Sequence, residues 1–437
     1  MISIETLALV VSILIIVITF ILIISEIVHS TIAVLAGAVL TLIAVKAFST
    51  QMDDVSGGVV SFITPELIDI MILLTAMMII MGVLSKTGFF QWATITAYDM
   101  AKGSPYRLVA ILVVTTALLS SLLDNVTTLL LMIPITIEMS RILNINPGPL
   151  LIGEAIASNL GGASTLIGDP PNIIIGASMN ISFMDFIFNM VPILAICLVV
   201  FTLMMKFFAK ESLKDYKKPE DMTALRASYV VKDFKLFKRT MAIFTMVIVL
   251  FIFHDIIGIG IAEAALLGAV ALLLLSGTQI DEALKSVEWS TLVFFIGLFI
   301  IVGGTGQLHL MDTIADAAIN TTGGNLAFTL LLVMWLSAFA AAAIGAVPAA
   351  ATLVPVVALL TIDIPNSASL FWALVIGVNL GSIATPIGAT SNIIATTLSS
   401  RTKNPISFKG FIRIGMPTML ITMGIASLYV MARYVWF

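Results

Sequence analysis

The chain is 437 residues long, 60% hydrophobic and only 11% charged, with a mean hydropathy of +1.15 and a formal net charge of −4. A soluble fold of this length cannot hide that much apolar surface, so the composition excludes a water-soluble globule and specifies a polytopic helical membrane protein. The single cysteine, Cys197, excludes an internal disulfide, and its apolar surroundings favour simple packing over reactivity.

The first apolar run, 6–25, follows no cationic leader and precedes no small-residue cleavage site, so it reads as a true span and not a signal peptide. Apolar runs follow at 30–48 and 66–85. The next, 106–141, is too short for two crossings, which need roughly 40 apolar residues plus a turn. Residues 107–141 number only 35, and Ser120, Ser121, Asp124, Asn125, Thr127 and Thr128 interrupt the middle. A re-entrant helical hairpin fits, since non-helical backbone at membrane depth needs protein or a wet cavity around it. Segment 149–180 carries the string SNLGGASTLIGDPPNIIIG at 158–176, a Gly/Pro/Asn break inside a hydrophobic run. Segment 184–209 leads into one long polar stretch, 210–239, with Lys210, Lys214, Lys217, Lys218, Arg226, Lys232, Lys235, Lys238 and Arg239. Apolar segments resume at 240–257, 259–277, 289–308, 326–361, 367–397 and 411–434.

Basic residues set the orientation. With 210–239 cytoplasmic and both 106–141 and 326–361 returning to the face they entered, every basic residue except Lys46 and Arg433 falls inside. The outer loops 49–65 and 309–325 then carry Asp53, Asp54, Asp312 and Asp316 but no Lys or Arg. Both chain ends are expected outside.

The sequence also echoes itself at an offset of about 220 residues. SNLGGASTLIGDPPNIIIG (158–176) aligns with VNLGSIATPIGATSNIIAT (378–396), pairing Asn159 with Asn379, Thr165 with Thr385, Gly168 with Gly388 and Asn172 with Asn392. Pro134 pairs with Pro355 upstream, and SFMDF (182–186) answers SFKGF (407–411) downstream. The topology makes this an inverted repeat, with binding expected near the midplane where the halves meet. Breaks of this kind free backbone N–H and C=O groups, and the half-helix ends present partial charges. Gly161 and Gly162 permit close backbone approach, while Asn159, Ser164, Thr165, Asp169 and Asn172 offer oxygen ligands or hydrogen bonds. In the second half Asn379, Thr385, Thr390, Ser391 and Asn392 do the same. The division expected is N-terminal scaffold helices at 1–48, a first repeat at 49–209, a cytoplasmic linker at 210–239, linking scaffold helices at 240–277 and a second repeat at 278–437.

Through SLLDNVTTLLLMIPI (121–135), SNLGGASTLIGDPPNIIIG (158–176) and NLGSIATPIGATSN (379–392), the chain resembles the ion transporter superfamily, in its arsenite-pump and P-protein branch. That superfamily includes arsenite and antimonite efflux proteins, sodium/proton antiporters, silicon efflux carriers and sodium-coupled dicarboxylate carriers. The resemblance covers nearly the whole chain. It implies an all-α fold with a scaffold and a mobile transport domain, elevator-type alternating access and a homodimer, with a separate ATPase partner if the chain is an arsenite pump. The dicarboxylate carriers bear a Ser-Asn-Thr tip on each hairpin that helps bind sodium and substrate. Here the first tip reads Asp124-Asn125-Val126, nine residues ahead of Pro134, and the second reads Gly345-Ala346-Val347-Pro348 with no carboxamide. One half-site is polar and the other bland.

Each singled-out residue carries a plainer alternative. Asp124 can serve as a cation or proton site, or simply cap the second hairpin helix. Asp169, at Pro170-Pro171, invites the same two readings. Glu154 is a candidate proton relay with Asp124, against complementing its helix dipole or reaching the cytoplasmic interface. Asn159 and Asn379 either line the site or bond helices together. A sodium ion is placed at Asp124, Asn125 and Asn172. The methionines read as packing, His254 and His309 as surface residues near outer helix ends in preference to a proton relay, and His29 as interfacial. The 210–239 run reads as a solvated loop and not a nucleic-acid patch. With no nucleotide loop, metal-ligand cluster or nucleophile-base arrangement in view, the expectation is a non-enzymatic secondary transporter with no cofactor, coupled to H+ or Na+. Its expected setting is a prokaryotic cell membrane and its cargo a small ion. With no Lys or Arg expected at midplane depth, uncharged trihydroxy-arsenic or its antimony counterpart, expelled against protons, is the leading cargo. Sodium/proton antiport, sodium-coupled carriage of a carboxylate or other anion, and an ion channel are the alternatives.

Overall fold

Hydrocarbon offers no partner to backbone N–H and C=O groups, so an apolar chain satisfies them inside helices. The computed structural model describes residues 3–25, 27–48, 59–214, 216, 234–277, 279–365 and 367–436, and every regular element there is helical. Asp53, Asp54 and four of the nine basic residues of 210–239, Lys217, Lys218, Arg226 and Lys232, lie outside the described residues. Among those described, ten helices are long and apolar enough to cross a membrane.

The first half runs α1 (Ile4–Ser25), α2 (Ser30–Phe48), a 3-10 turn (Val59–Phe62), α3 (Pro65–Lys86), α4 (Phe89–Met100), α5 (Pro105–Leu122), α6 (Asn125–Ile142), α7 (Gly148–Gly162), α8 (Pro170–Ser178) and α9 (Phe183–Phe208). The second runs α10 (Phe234–Ile257), α11 (Ile261–Ser276), the short α12 (Ile280–Leu284), α13 (Trp289–Gln307), α14 (Leu310–Thr322), α15 (Leu326–Ile344), α16 (Ala346–Asp363), α17 (Ser369–Ser382), a 3-10 turn (Pro386–Gly388), α18 (Thr390–Ser399) and α19 (Phe408–Met431). The two halves have the same order of long, lateral, hairpin and broken helices. α4 and α14 have no counterpart among the apolar segments read from sequence, because twelve or thirteen mixed residues fall below span length.

Packing interleaves the halves. α2 lies along α13 and α11 along α3, so each half's opening pair rests on the other half's long helix. The hairpin α5–α6 packs on α7, and α15–α16 on α17. α18 then crosses to α6 and α7, and α8 to α16 and α17, bringing both broken elements together at the centre. The SFMDF and SFKGF echo has a local cause. Ser182 and Ser407 are the N-caps of α9 and α19, accepting from Asp185 N and Gly410 N at 3.0 Å each.

Each helix of the first hairpin has 18 residues, joined through Leu123 and Asp124. At 1.5 Å per residue that is about 27 Å, close to the hydrocarbon thickness. Segment length alone therefore does not decide whether the hairpin is re-entrant. What its tip touches is more informative.

Candidate functional site

Each break is closed by its own asparagine. Asn172 donates through Nδ2 to Gly162 O at 2.9 Å and Thr165 O at 2.8 Å, meeting carbonyls freed where α7 ends. Asn392 does the same for α17, donating to Ser382 O and Thr385 O at 2.8 Å each. The threonines staple break to hairpin: Thr165 Oγ1 donates to Ser121 O, and Thr385 Oγ1 to Ala342 O at 2.6 Å. Gly161 and Gly381 lie against the backbone of Ala117 and Ala338, where any Cβ would collide with a carbonyl.

The remaining carboxamide atoms cross between halves. Asn379 Nδ2 donates to Asn172 Oδ1 at 2.7 Å, and Asn159 Nδ2 donates to Asn392 Oδ1 at 2.9 Å. All four side chains are buried. Residue i of one half meets j of the other while j meets i, the signature of a local two-fold relation. The sequence pairs Asn159/Asn379 and Asn172/Asn392 are thus both break-lining and the bonds that join the halves.

The symmetry fails at the hairpin tips. Asn125 Nδ2 reaches Asp169 Oδ2 at 2.9 Å and Asn159 Oδ1 at 3.2 Å. Ser120 Oγ lies 2.5 Å from Asn125 Oδ1 and 2.8 Å from Ser158 O, which share its one hydrogen, and Ser391 Oγ donates to Asn159 Oδ1 at 2.7 Å. In the repeat register, Ala346, Ala389 and Pro171 stand where Asn125, Asp169 and Ser391 stand in this web. Without counterparts of the Asn125 and Ser391 donors, Asn379 Oδ1 is buried with no hydrogen-bond partner.

Asp124 and Asp169 differ in role. Asp124 is half-buried and caps α6, accepting from Thr127 N at 2.8 Å. Asp169 holds the N-cap position of α8 but makes no capping bond, its carboxylate being turned to Asn125. Glu154 reaches no interface. It is fully buried in α7, takes 2.6 Å from Thr136 Oγ1 on Oε1, and has no partner on Oε2. Thr128 is buried with an unpartnered hydroxyl, Ser164 bonds within its own turn to Gly161 O, and Thr390 is exposed at the start of α18. The Asn172 oxygen, one of the three expected around sodium, is engaged by Asn379. Ser120 and Thr136 are hydrogen-bond partners of these side chains that the sequence did not single out as ligands. Ser120 stands among the polar interruptions of 106–141, whereas nothing in spacing links Thr136 to Glu154 eighteen residues on.

The histidines lie at helix ends. His254 Nε2 accepts from Phe183 N at 3.3 Å, and His309 Nδ1 lies 3.2 Å from Asp312 Oδ2. None joins the web.

The profile of the family described as citrate transporter (CitMHS) matches residues 20–377. An uncharacterized transporter of Mycobacterium tuberculosis is 38% identical over 369 residues, covering 84% of this chain and 86% of its own. The 46 kDa membrane protein of Mycobacterium leprae is 35% identical across 97% of this chain and 99% of its own. The P protein of Homo sapiens is 29% identical over 95% of this chain, which spans 58% of that longer protein. Among solved structures, the YdaH transporter of Alcanivorax borkumensis superposes with a TM-score of 0.61 at 15% identity, covering 92% of this chain and 98% of that one. At that identity the likeness speaks to fold alone.

Proposed function

Because the chain belongs to the citrate transporter family (CitMHS), and is thus a multi-pass membrane transporter and not an enzyme, we propose that it is a secondary active carrier whose cargo and coupling ion meet at the crossed breaks. The observation that carries this reading is the two-fold web of Asn159, Asn172, Asn379 and Asn392, with Asp124, Asn125 and Asp169 added on one side only. Helix N-termini of α6, α8, α16 and α18 and freed carbonyls supply partial charges of both signs there. The two-fold supports an inverted repeat related through the membrane plane. The scaffold would be the long helices α3 and α13 with their partners, the moving part the hairpins and breaks, in elevator fashion and within a homodimer. The 210–239 loop would be cytoplasmic and both ends outside.

Glu154 and Asp169 are the proton carriers in this reading. Both are buried, and no described Lys or Arg is buried anywhere to neutralise them. An ionised carboxylate without a cation is costly at such depth, so each acid suits a group that binds and releases a proton. The same lack of cations supports a cargo with little negative charge, such as arsenous or antimonous acid, leaving against protons. Sodium in place of the uncharged acid as cargo, at Asp124 and Asn125, gives sodium/proton antiport.

The second reading is a carboxylate such as citrate, favoured by the family's description. It would need coupled cations to offset its charge, because the web donates only through amides and hydroxyls. Proteoliposomes holding the purified chain test both. Arsenite, citrate and sodium are each offered under imposed proton and sodium gradients. Proton-driven arsenite flux supports the first reading. Citrate flux alone overturns it for the second, and flux of any solute indifferent to both gradients makes the protein a channel.

A further inference from the structure

Buried hydroxyls elsewhere in this fold bond their own helix: Ser12 Oγ donates to Ala8 O and Thr41 Oγ1 to Gly37 O at 2.9 Å each, and Thr418 Oγ1 to Ile414 O at 2.7 Å. The seam between α6 and α7 departs from this. Thr136 Oγ1 turns from its own helix to Glu154 Oε1, and Ser140, one turn further along α6, keeps a buried hydroxyl that no described residue reaches. Glu154 Oε2 is a second orphan. α6 and α7 are joined through the short turn 143–147 and run antiparallel, so with Thr136 level with Glu154, Ser140 is level with Leu150, one turn from Glu154. Ser140 lies in the last turn of α6, where Ile145 N donates to Ser140 O at 3.0 Å, and the next residue of its row, Asn144, is exposed. That end of the hairpin meets the start of the basic linker, Ser212 Oγ donating to Asn146 O. The repeat shows that packing does not need this chemistry. In register, buried Val357 and Leu374 replace Thr136 and Glu154 between α16 and α17, and Thr361, in place of Ser140, bonds its own helix at Ala358 O, 2.6 Å away.

We propose that a water held between Ser140 Oγ and Glu154 Oε2 connects Glu154 to the linker face, making the α6–α7 seam a proton entry that opens at Asn144, with Ser140 as its positioning residue. This rests on the reading of Glu154 as a proton carrier. Residues one turn apart stand about 6 Å apart at Cβ, too far for a direct bond and within the span of one bridging water. Buried waters sit where polar groups otherwise go unsatisfied. The single hydrogen of Thr136 is committed to Oε1, which leaves Oε2 as the oxygen that gains and loses the proton. Ionised, Oε2 accepts from the water; protonated, it donates to it, so the contact survives in both states. In one passage a solvent proton joins Ser140 Oγ as that hydroxyl gives its own hydrogen to the water, and the water gives one of its hydrogens to Oε2. One proton moves from solvent to carboxylate, and the hydroxyl and the water end neutral.

The test follows Glu154 itself and needs no cargo. With the full chain in nanodiscs, time-resolved infrared difference spectroscopy after light-triggered proton release reads the carboxylic C=O band that is absent in Glu154→Gln. In the parent this band is expected to rise with the pH step. In Ser140→Ala, which removes a hydroxyl that no described residue leans on, it should reach the same end point at least about tenfold more slowly, the scale of losing one positioned proton-transfer group. Ser140→Thr, which keeps a hydroxyl, and Thr361→Ala, at the repeat mate, should follow the parent. The parent's rate in Ser140→Ala overturns the entry and leaves Glu154 a carrier. A shifted end point reached at the parent's rate marks a structural hydroxyl and overturns it equally. Slowing in Thr361→Ala as well marks general loosening of the hairpins and does the same. A band that stays fixed at every pH where the parent is folded means that Glu154 exchanges no proton, and the entry and the carrier reading then fall together.

Discussion

Asn172 holds three bonds with one side chain: two to backbone carbonyls of its own break and one from Asn379 of the other half. Asn172→Ala strands all three partners in the interior, where each unpaired group costs about 1–3 kcal/mol. A fall of Tm large enough to reduce expression is expected. A double-mutant cycle between Asn172→Ala and Asn379→Ala should show a coupling of about 1 kcal/mol, while Asn172→Ala combined with Asn189→Ala, which belongs to a separate contact with Tyr434, should be additive. Additivity in the first pair would mean that the crossing bond contributes nothing. Glu154→Gln is the complementary change. Glutamine keeps an oxygen for the Thr136 hydroxyl yet exchanges no proton. Solute exchange across proteoliposomes should persist while the response to a pH gradient disappears. A pH-driven flux equal to the parent's would remove Glu154 as a carrier.

Helices in this fold meet through glycine. Gly161 on α7 and Gly381 on α17 lie so near the carbonyls of Ala117 and Ala338 that a methyl group has no room, and the obstacle is backbone, which cannot swing aside. Gly161→Ala and Gly381→Ala should each cost about 1–3 kcal/mol or more by overpacking, read as lower Tm in detergent. Gly424 on α19 has open space around its α-carbon. Gly424→Ala should be neutral, or stabilising by up to about 1 kcal/mol through helix propensity. The contrast separates packing from propensity in one experiment. It also shows what was legible in the sequence. The glycines, prolines and asparagines of 158–176 and 378–396 announced two broken helices, because those residue types carry their backbone consequences with them. Which atoms they met was not legible. Asn379 bonding Asn172, and not its repeat mate Asn159, is a fact of docking two elements 207 residues apart. Asp169 read equally well as a cap, and only the position of Asn125 decides otherwise.

At the scale of the molecule, orientation follows from a few loops. Cys197 is fully buried, so replacing it by serine gives a thiol-free background for labelling. Lys214 and Asp316 are exposed and lie on loops or lateral helices to which the basic-residue pattern gives opposite faces. In intact cells a membrane-impermeant maleimide should label Asp316→Cys at once and Lys214→Cys only after permeabilisation. Labelling of both from one side would break the same-face reading of one hairpin, and with it the inversion of the repeats.

The crossing asparagines also bear on how such a chain is made. Asn159 Nδ2 waits for a partner 233 residues later and Asn172 Oδ1 for one 207 residues later, so a ribosome delivers the whole first half to the bilayer before these two atoms can be matched. During that interval the unmatched groups must find water, lipid headgroups or an insertase. Co-expressed halves split within 217–233 should therefore survive only together, each acting as the other's chaperone.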